Sequence, residues 1–233
     1  MKKYLFALLV IFSFSCSKKS TDLVVTGTVK DIKKGTIYLQ KIIDTTLVSV
    51  DSLTFNGNST FELSCELKEP EVLYLNLNDN SSDSERIRFF AEKGNVVINT
   101  SLKRFGLDAE INGSSLNKQL EDYYKIANRF DDDALDLMVK QLEAAKTGDT
   151  NKINIANKNS DNNLKRKYLY SINFAMNHKN SEVAPYIALA EIYDANIKYL
   201  DTIYNALPKD IANSKYGKEL NDFIGKRKET EKQ

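Results

Sequence analysis

Cysteine is nearly absent: the 233-residue chain has two, Cys16 and Cys65. So few exclude a disulfide framework, and their 49-residue-scale separation leaves no C-x-x-C redox pair. Histidine is scarcer still, with His178 alone. No nucleophile and orienting acid stand around it in a recognisable motif, so it gives no basis for nucleophilic catalysis. It falls near the C-terminal end of a predicted helix, where the dipole favours partial positive charge. Charge of one sign is also lacking. Lys and Arg number 33 against 32 Asp and Glu, a formal net charge of +1, so nothing attracts nucleic acid. There is no 20–50-residue repeat of the kind that builds a solenoid, and no apolar run reaches the ~20 residues needed to span a bilayer.

What is present begins at the N-terminus. Lys2 and Lys3 precede an apolar run over 4–14, the charged-then-apolar order of an export signal. The run ends Ser13-Phe14-Ser15-Cys16, followed by the polar Ser17-Lys18-Lys19-Ser20-Thr21. This resembles a bacterial lipoprotein signal, although Ser13 stands where Leu is usual. The resemblance implies cleavage after residue 15 and lipidation of Cys16, which becomes the first residue of the mature chain. Acyl chains contribute ~0.8 kcal/mol per buried CH2, so two or three hold a protein on a membrane. A plain secretory signal or a short uncleaved anchor are the alternatives, and either places the remainder outside the cytoplasm. Removing residues 1–15 takes away Lys2 and Lys3, leaving 31 basic against 32 acidic residues, a balance of −1. With Cys16 lipidated, Cys65 has no partner within the chain.

Two periods divide the rest. Over 23–111 the pattern is period two: Thr60-Phe61-Glu62-Leu63-Ser64-Cys65-Glu66-Leu67 alternates without a fault, and Leu73, Leu75, Leu77, then Ile87, Phe89, Ala91, keep the rhythm. Turn residues at 31–35, 56–58, 78–84 and 94–95 separate these segments. About eight short strands point to an antiparallel β-sandwich or barrel. From residue 114 the period becomes helical. Leu116, Leu120, Tyr123, Ala127 and Phe130 mark a first helix opened by Ser114 or Ser115. Leu135, Met138, Leu142 and Ala145 mark a second after Asp131-Asp132-Asp133, and Leu164, Tyr168, Ile172 and Ala175 a third. Shorter helices follow around Pro185, over 197–207 before Pro208, and around Tyr216, Leu220 and Phe223. The asparagine-rich stretch 147–163 reads as a mobile connection.

The β half resembles domain of unknown function 4369, found in Bacteroidota lipoproteins. The resemblance rests on Val25-Thr26-Gly27-Thr28-Val29, Gly35-Thr36-Ile37-Tyr38-Leu39, Val50-Asp51-Ser52-Leu53, the turn at 56–61, Glu69-Pro70, Glu92-Lys93-Gly94-Asn95-Val96, and Ile111-Asn112-Gly113-Ser114 with Asn117. In that family the β domain commonly precedes a helical connector and a thioredoxin-like domain of thiol-disulfide oxidoreductases. The helical half resembles such a connector. The sequence carries neither a thioredoxin-like domain nor its C-x-x-C thiol of lowered pKa, so oxidoreductase activity is not carried over.

The remaining chemistry-bearing residues read as structural. Cys65 shares a strand face with Phe61, Leu63 and Leu67, the setting of a buried small hydrophobe. Three consecutive carboxylates at 131–133 cannot all face one cation, so a helix-capping role is expected. The oxygen-rich loop 79–85 lacks the sixth-position glycine and twelfth-position acid of an EF-hand. Most helical-half tyrosines fall on inward stripes, where core packing outweighs an aromatic binding surface. Asp44-Thr45-Thr46, Asp51-Ser52-Leu53 and Asp201-Thr202-Ile203 resemble the short O-glycosylation acceptor pattern of exported Bacteroidota proteins.

The expected organisation is α+β with segregated halves. It comprises a signal (1–15), lipidated tether (16–22), β-sandwich domain (23–113), all-α helical domain (114–225) and charged tail (226–233). The expected function is a non-enzymatic cell-envelope lipoprotein, anchored through lipid on Cys16 to the periplasmic face of the outer membrane. It would bind or scaffold a periplasmic partner such as a redox protein. No catalytic residue, cofactor, metal or nucleic-acid partner is expected. The alternative is capture of a glycan, peptide or small molecule at the junction of the β and helical halves.

Overall fold

A computed structural model describes residues 21–78 and 86–231. Eight strands come first: β1 (Leu23–Lys30), β2 (Lys34–Ile43), β3 (Thr46–Asn56), β4 (Thr60–Cys65), β5 (Glu71–Leu77), β6 (Ile87–Ala91), β7 (Gly94–Ser101) and β8 (Glu110–Asn112). They form two four-stranded sheets, ordered β4-β1-β7-β8 and β3-β2-β5-β6. The chain crosses between the sheets four times, from β1 to β2, β3 to β4, β4 to β5 and β6 to β7. These are two open sheets and not a closed barrel. Nor is the pairing wholly antiparallel as the series of short strands suggested, because β1 and β7 run parallel, from Leu23 opposite Gly94 to Lys30 opposite Ser101. Period-two alternation reports which face is buried and carries no information about strand direction.

Alternation does determine the layering. Leu73 and Leu75 on β5, with Ile87, Phe89 and Ala91 on β6, face the other sheet and join Leu23, Val25, Leu63, Val96 and Ile98 in the inter-sheet core. Their neighbours Val72, Tyr74 and Phe90 point the opposite way and pack on helices. The second sheet is therefore buried on both faces at β5 and β6, and the molecule has three layers: sheet, sheet, helices.

The helices are α1 (Ser115–Thr147), α2 (Thr150–Asn177), α3 (Val183–Glu191), α4 (Ile197–Ala206), α5 (Lys209–Ala212) and α6 (Lys215–Thr230). Ser114 caps α1, its side chain accepting from the Asn117 amide. Three sequence expectations fail here, the first being the separate helices expected over 116–130 and 135–145, which are one helix, α1. The Asp131-Asp132-Asp133 run caps nothing, because α1 continues through it unbroken to Thr147. Lys167 of α2 holds Asp131 at 2.7 Å, a contact between helices that no local pattern announces. The 147–163 stretch is likewise no loose connection. Gly148 in the left-handed region (φ 65°) closes α1, and Asp149 caps α2 by accepting from the amides of Asn151 and Lys152. Its asparagines lie within α2, and Asn163 is buried there. A separate helical core gathers Ile172, Ala188, Leu200, Ile203 and Leu220. α6 continues to Thr230, into the segment read as a charged tail. Among the described residues no helix is long and apolar enough to cross a membrane.

Candidate functional site

The joint between the second sheet and the helices is built from the start of α1. β6 is an edge strand, so backbone groups along its free side need partners. The Phe90 amide donates to Asn117 Oδ1 at 3.0 Å, and Ser114 Oγ donates to the Phe90 carbonyl at 2.7 Å. Glu92, just past β6, accepts from the Ser115 and Leu116 amides, placing a carboxylate on the positive end of α1. On β5 the Val72 amide lies beyond the last β2 pair, Lys41 with Leu73, and donates to Tyr216 Oη at 2.8 Å. Lys215 bonds Glu71 through its ammonium, and its amide donates to Glu69 Oε2 at 2.6 Å. The apolar centre of the joint is Phe90, with Tyr186 and Tyr216 edge-on, each ring centroid 5.7 Å away.

Beside this joint lies a cleft of about 560 Å³, where Arg86 and Arg88 of the β6 side face Asn117, Glu121, Tyr124 and Lys125 of α1 and Glu191 of α3. Residues 117, 121, 124 and 128 fall three or four apart and so line one helix face. The Arg88 guanidinium stands 4.2 Å from the centroid of the Tyr124 ring. Tyr124 Oη donates to Glu191 Oε1 at 2.6 Å. Lys167 reaches the other Glu191 oxygen at 3.4 Å and also pairs with Asp131. Burial, aided by the neighbouring Tyr186 and Glu191, pushes the Tyr124 phenol well above its ordinary value, so it stays a hydrogen-bond donor. Burial also raises the Glu121 carboxyl, against the opposing pull of Lys118. The lining is charged and aromatic, with both signs present. It suits a ligand that carries polar groups of both kinds.

The sequence-selected residues are scattered. Cys16 and the oxygen-rich loop 79–85 lie outside the described residues. Cys65 is on the inner face of β4 within the inter-sheet core, where burial pushes its thiol up to about 11. His178 ends α2, its ring stacked on Phe174 at 3.9 Å and its Nδ1 2.9 Å from the Phe174 carbonyl oxygen. Tyr123, Tyr186 and Tyr216 are core residues, whereas Tyr193 and Tyr199 are exposed. Of the acceptor-like tripeptides, Asp44-Thr45-Thr46 occupies the exposed β2–β3 turn. Asp51 instead spends a carboxylate oxygen on the Ser64 amide, and Ile203 is buried in α4. Sequence reasoning missed Arg88, Glu191 and Lys167. The available signal was faint: an arginine on the outward alternation of β6 and a 3-4 spacing along α1.

The comparisons with known proteins bear on the joint more than on the cleft. A search of curated proteins finds no match to this sequence. Glu69, Glu92, Ser114 and Asn117, which carry the family resemblance, are the residues that fasten sheet to helix. Asp51 and Gly27 hold the strands together, the one through Ser64 and the other through a close approach to Ile98. Residues 23–120 match the family described as a domain of unknown function, DUF4369, so that domain comprises the eight strands together with the first turns of α1.

Proposed function

We propose that the chain is a non-enzymatic cell-envelope lipoprotein, held by lipid on Cys16 at the periplasmic face of the outer membrane, whose helical half (114–225) binds or scaffolds a periplasmic partner. A redox protein on a separate chain is the first candidate, from the company that DUF4369 keeps in thiol-disulfide oxidoreductases. The observation that carries this reading is the joint itself. Apolar packing around Phe90 and hydrogen bonds to Val72 and Phe90 fix the helices on the sheet, so a partner seated on them is positioned relative to the membrane-proximal domain. Cross-linking and recovery of the tagged full chain from native membranes tests it. A thioredoxin-like or other envelope protein recovered only when residues 114–233 are present is the expected result. Repeated absence of any specific protein counts against it.

A second reading is favoured by the charged cleft: a ligand-binding module at the β/helix junction. Arg88 over Tyr124, beside Glu191, fits the charged ends of a short peptide better than an apolar molecule. Calorimetric titration with short peptides and with oligosaccharides separates the two classes. Arg88→Ala should abolish any peptide heat, and heat unchanged in that variant removes the cleft from consideration.

A further inference from the structure

The distal half of α1 carries an apolar stripe on the side turned away from the rest of the protein. Leu135, Met138, Val139 and Leu142 are 66%, 60%, 55% and 60% exposed, at the i, i+3, i+4, i+7 spacing of one helical face. Together they leave on the order of 400 Å² of apolar surface in water, as large as the biggest patch on a typical monomer. The arm beneath is thinly packed. Beyond Ala127, the only buried residue of α1 is Ala144, which lies on the side facing α2. α2 contributes Ala156 and Asn163 along the same stretch. Two neighbouring helices with few buried side chains between them, and leucines outside, are half of a four-helix arrangement.

The charges at the two ends of the stripe indicate what completes it. Asp132 stands at its N-terminal end, beside Asp131 that Lys167 already holds, and Glu143 and Lys146 stand at its C-terminal end. A two-fold axis between Met138 and Val139 sets Leu135 of one copy opposite Leu142 of the other. The same axis brings Asp132 of one copy close to Lys146 of the other, while Asp131 keeps Lys167 of its own chain. Antiparallel pairing also opposes the helix dipoles favourably. Parallel pairing would set aspartate against aspartate. A membrane surface is a poor occupant, because interfacial helices border their apolar face with Lys and Arg, and here aspartates dominate that border. Two stripes bury on the order of 800 Å² of apolar surface, and their polar flanks bring the total to the ~1,000 Å² that a biological interface must clear, at the small end of the specific range. We propose that this stripe is a self-association surface, through which two copies of the chain pair antiparallel along α1 into a four-helix arrangement. The proposal is independent of the partner or ligand reading above, since the leucines, Asp132 and Lys146 lie outside both the cleft and the sheet joint.

The test is the molar mass of the detergent-solubilised full chain by light scattering across micromolar concentrations, with detergent mass subtracted. A dimer is expected. The double substitution Leu135→Glu with Leu142→Glu should give a monomer of unchanged far-UV dichroism, since both side chains are exposed. Asp132→Lys alone and Lys146→Glu alone should each raise the dissociation constant about tenfold, roughly 1.4 kcal/mol. Combined in one chain, they should restore it. The two positions are fourteen residues apart on one helix, about 21 Å, so restoration reports pairing between copies. A monomer at every concentration, a dimer indifferent to the leucine substitutions, failure of the combined charge exchange to restore pairing, or vesicle binding by a monomeric chain would each overturn the proposal.

Discussion

Cys65 illustrates how much a single residue's environment decides. Its strand alternates without a fault, so its sequence neighbours alone place it on the inner face, and the inter-sheet core indeed encloses it. Burial raises its thiol from the ordinary 9.0 to about 11. A folded value above the unfolded one means the native protein holds that proton more tightly. The associated stability is complete below pH 9 and is lost as pH rises through 11. At pH 8 the thiolate fraction in the native state is about 100-fold below that of the unfolded chain. In a Cys16→Ser chain, alkylation at pH 8 should therefore be at least that much slower native than in denaturant. Equal rates would mean that Cys65 is accessible and its core setting wrong. His178 is less legible. Its place at a helix end followed from the periodicity, but its stacking on Phe174 did not.

At the scale of elements, strand direction and helix continuity were the hidden quantities. β1 and β7 lie side by side in parallel, and Gly27 permits it: a Cβ there would sit 1.7 Å from the Ile98 carbonyl oxygen. Gly27→Ala must push the two strands apart and should cost about 2–3 kcal/mol. Gly225→Ala, where an added Cβ meets nothing within 4 Å inside α6, should raise stability by up to about 1 kcal/mol. Urea midpoints of the two variants, moving in opposite directions, check both. The unbroken course of α1 through Asp131-Asp132-Asp133 has a similar origin. Local rules place consecutive aspartates at a helix start, whereas Lys167, thirty-six residues away, holds Asp131 inside the helix.

For the whole molecule, the central sheet is the shared wall of two cores, one against the first sheet and one against α1, α3 and α6. Strands and helices should therefore unfold together. Tyr216 gives a handle on this coupling, because its hydroxyl is the acceptor for the buried Val72 amide. Tyr216→Phe leaves that N–H without its partner at a cost of about 1–3 kcal/mol. Far-UV dichroism and tyrosine fluorescence should show one coincident transition in the native chain, shifted to lower denaturant in the variant. Two separated transitions in the native chain would mean that the layers fold independently.

By itself the sequence determined the order of the strands, the change of period at residue 114, a serine cap at 114 or 115 and the inward face of nearly every strand. Each of these depends on neighbours a few residues apart, and hydrophobic periodicity reports such neighbours directly. The tertiary structure alone decided that β1 and β7 run parallel, that the sheets stay open, that β5 and β6 are buried on both faces, and that Arg88, Tyr124 and Glu191 meet in one cleft. Those facts join residues from 36 to more than 140 positions apart. No periodicity within one segment encodes which distant segment covers it.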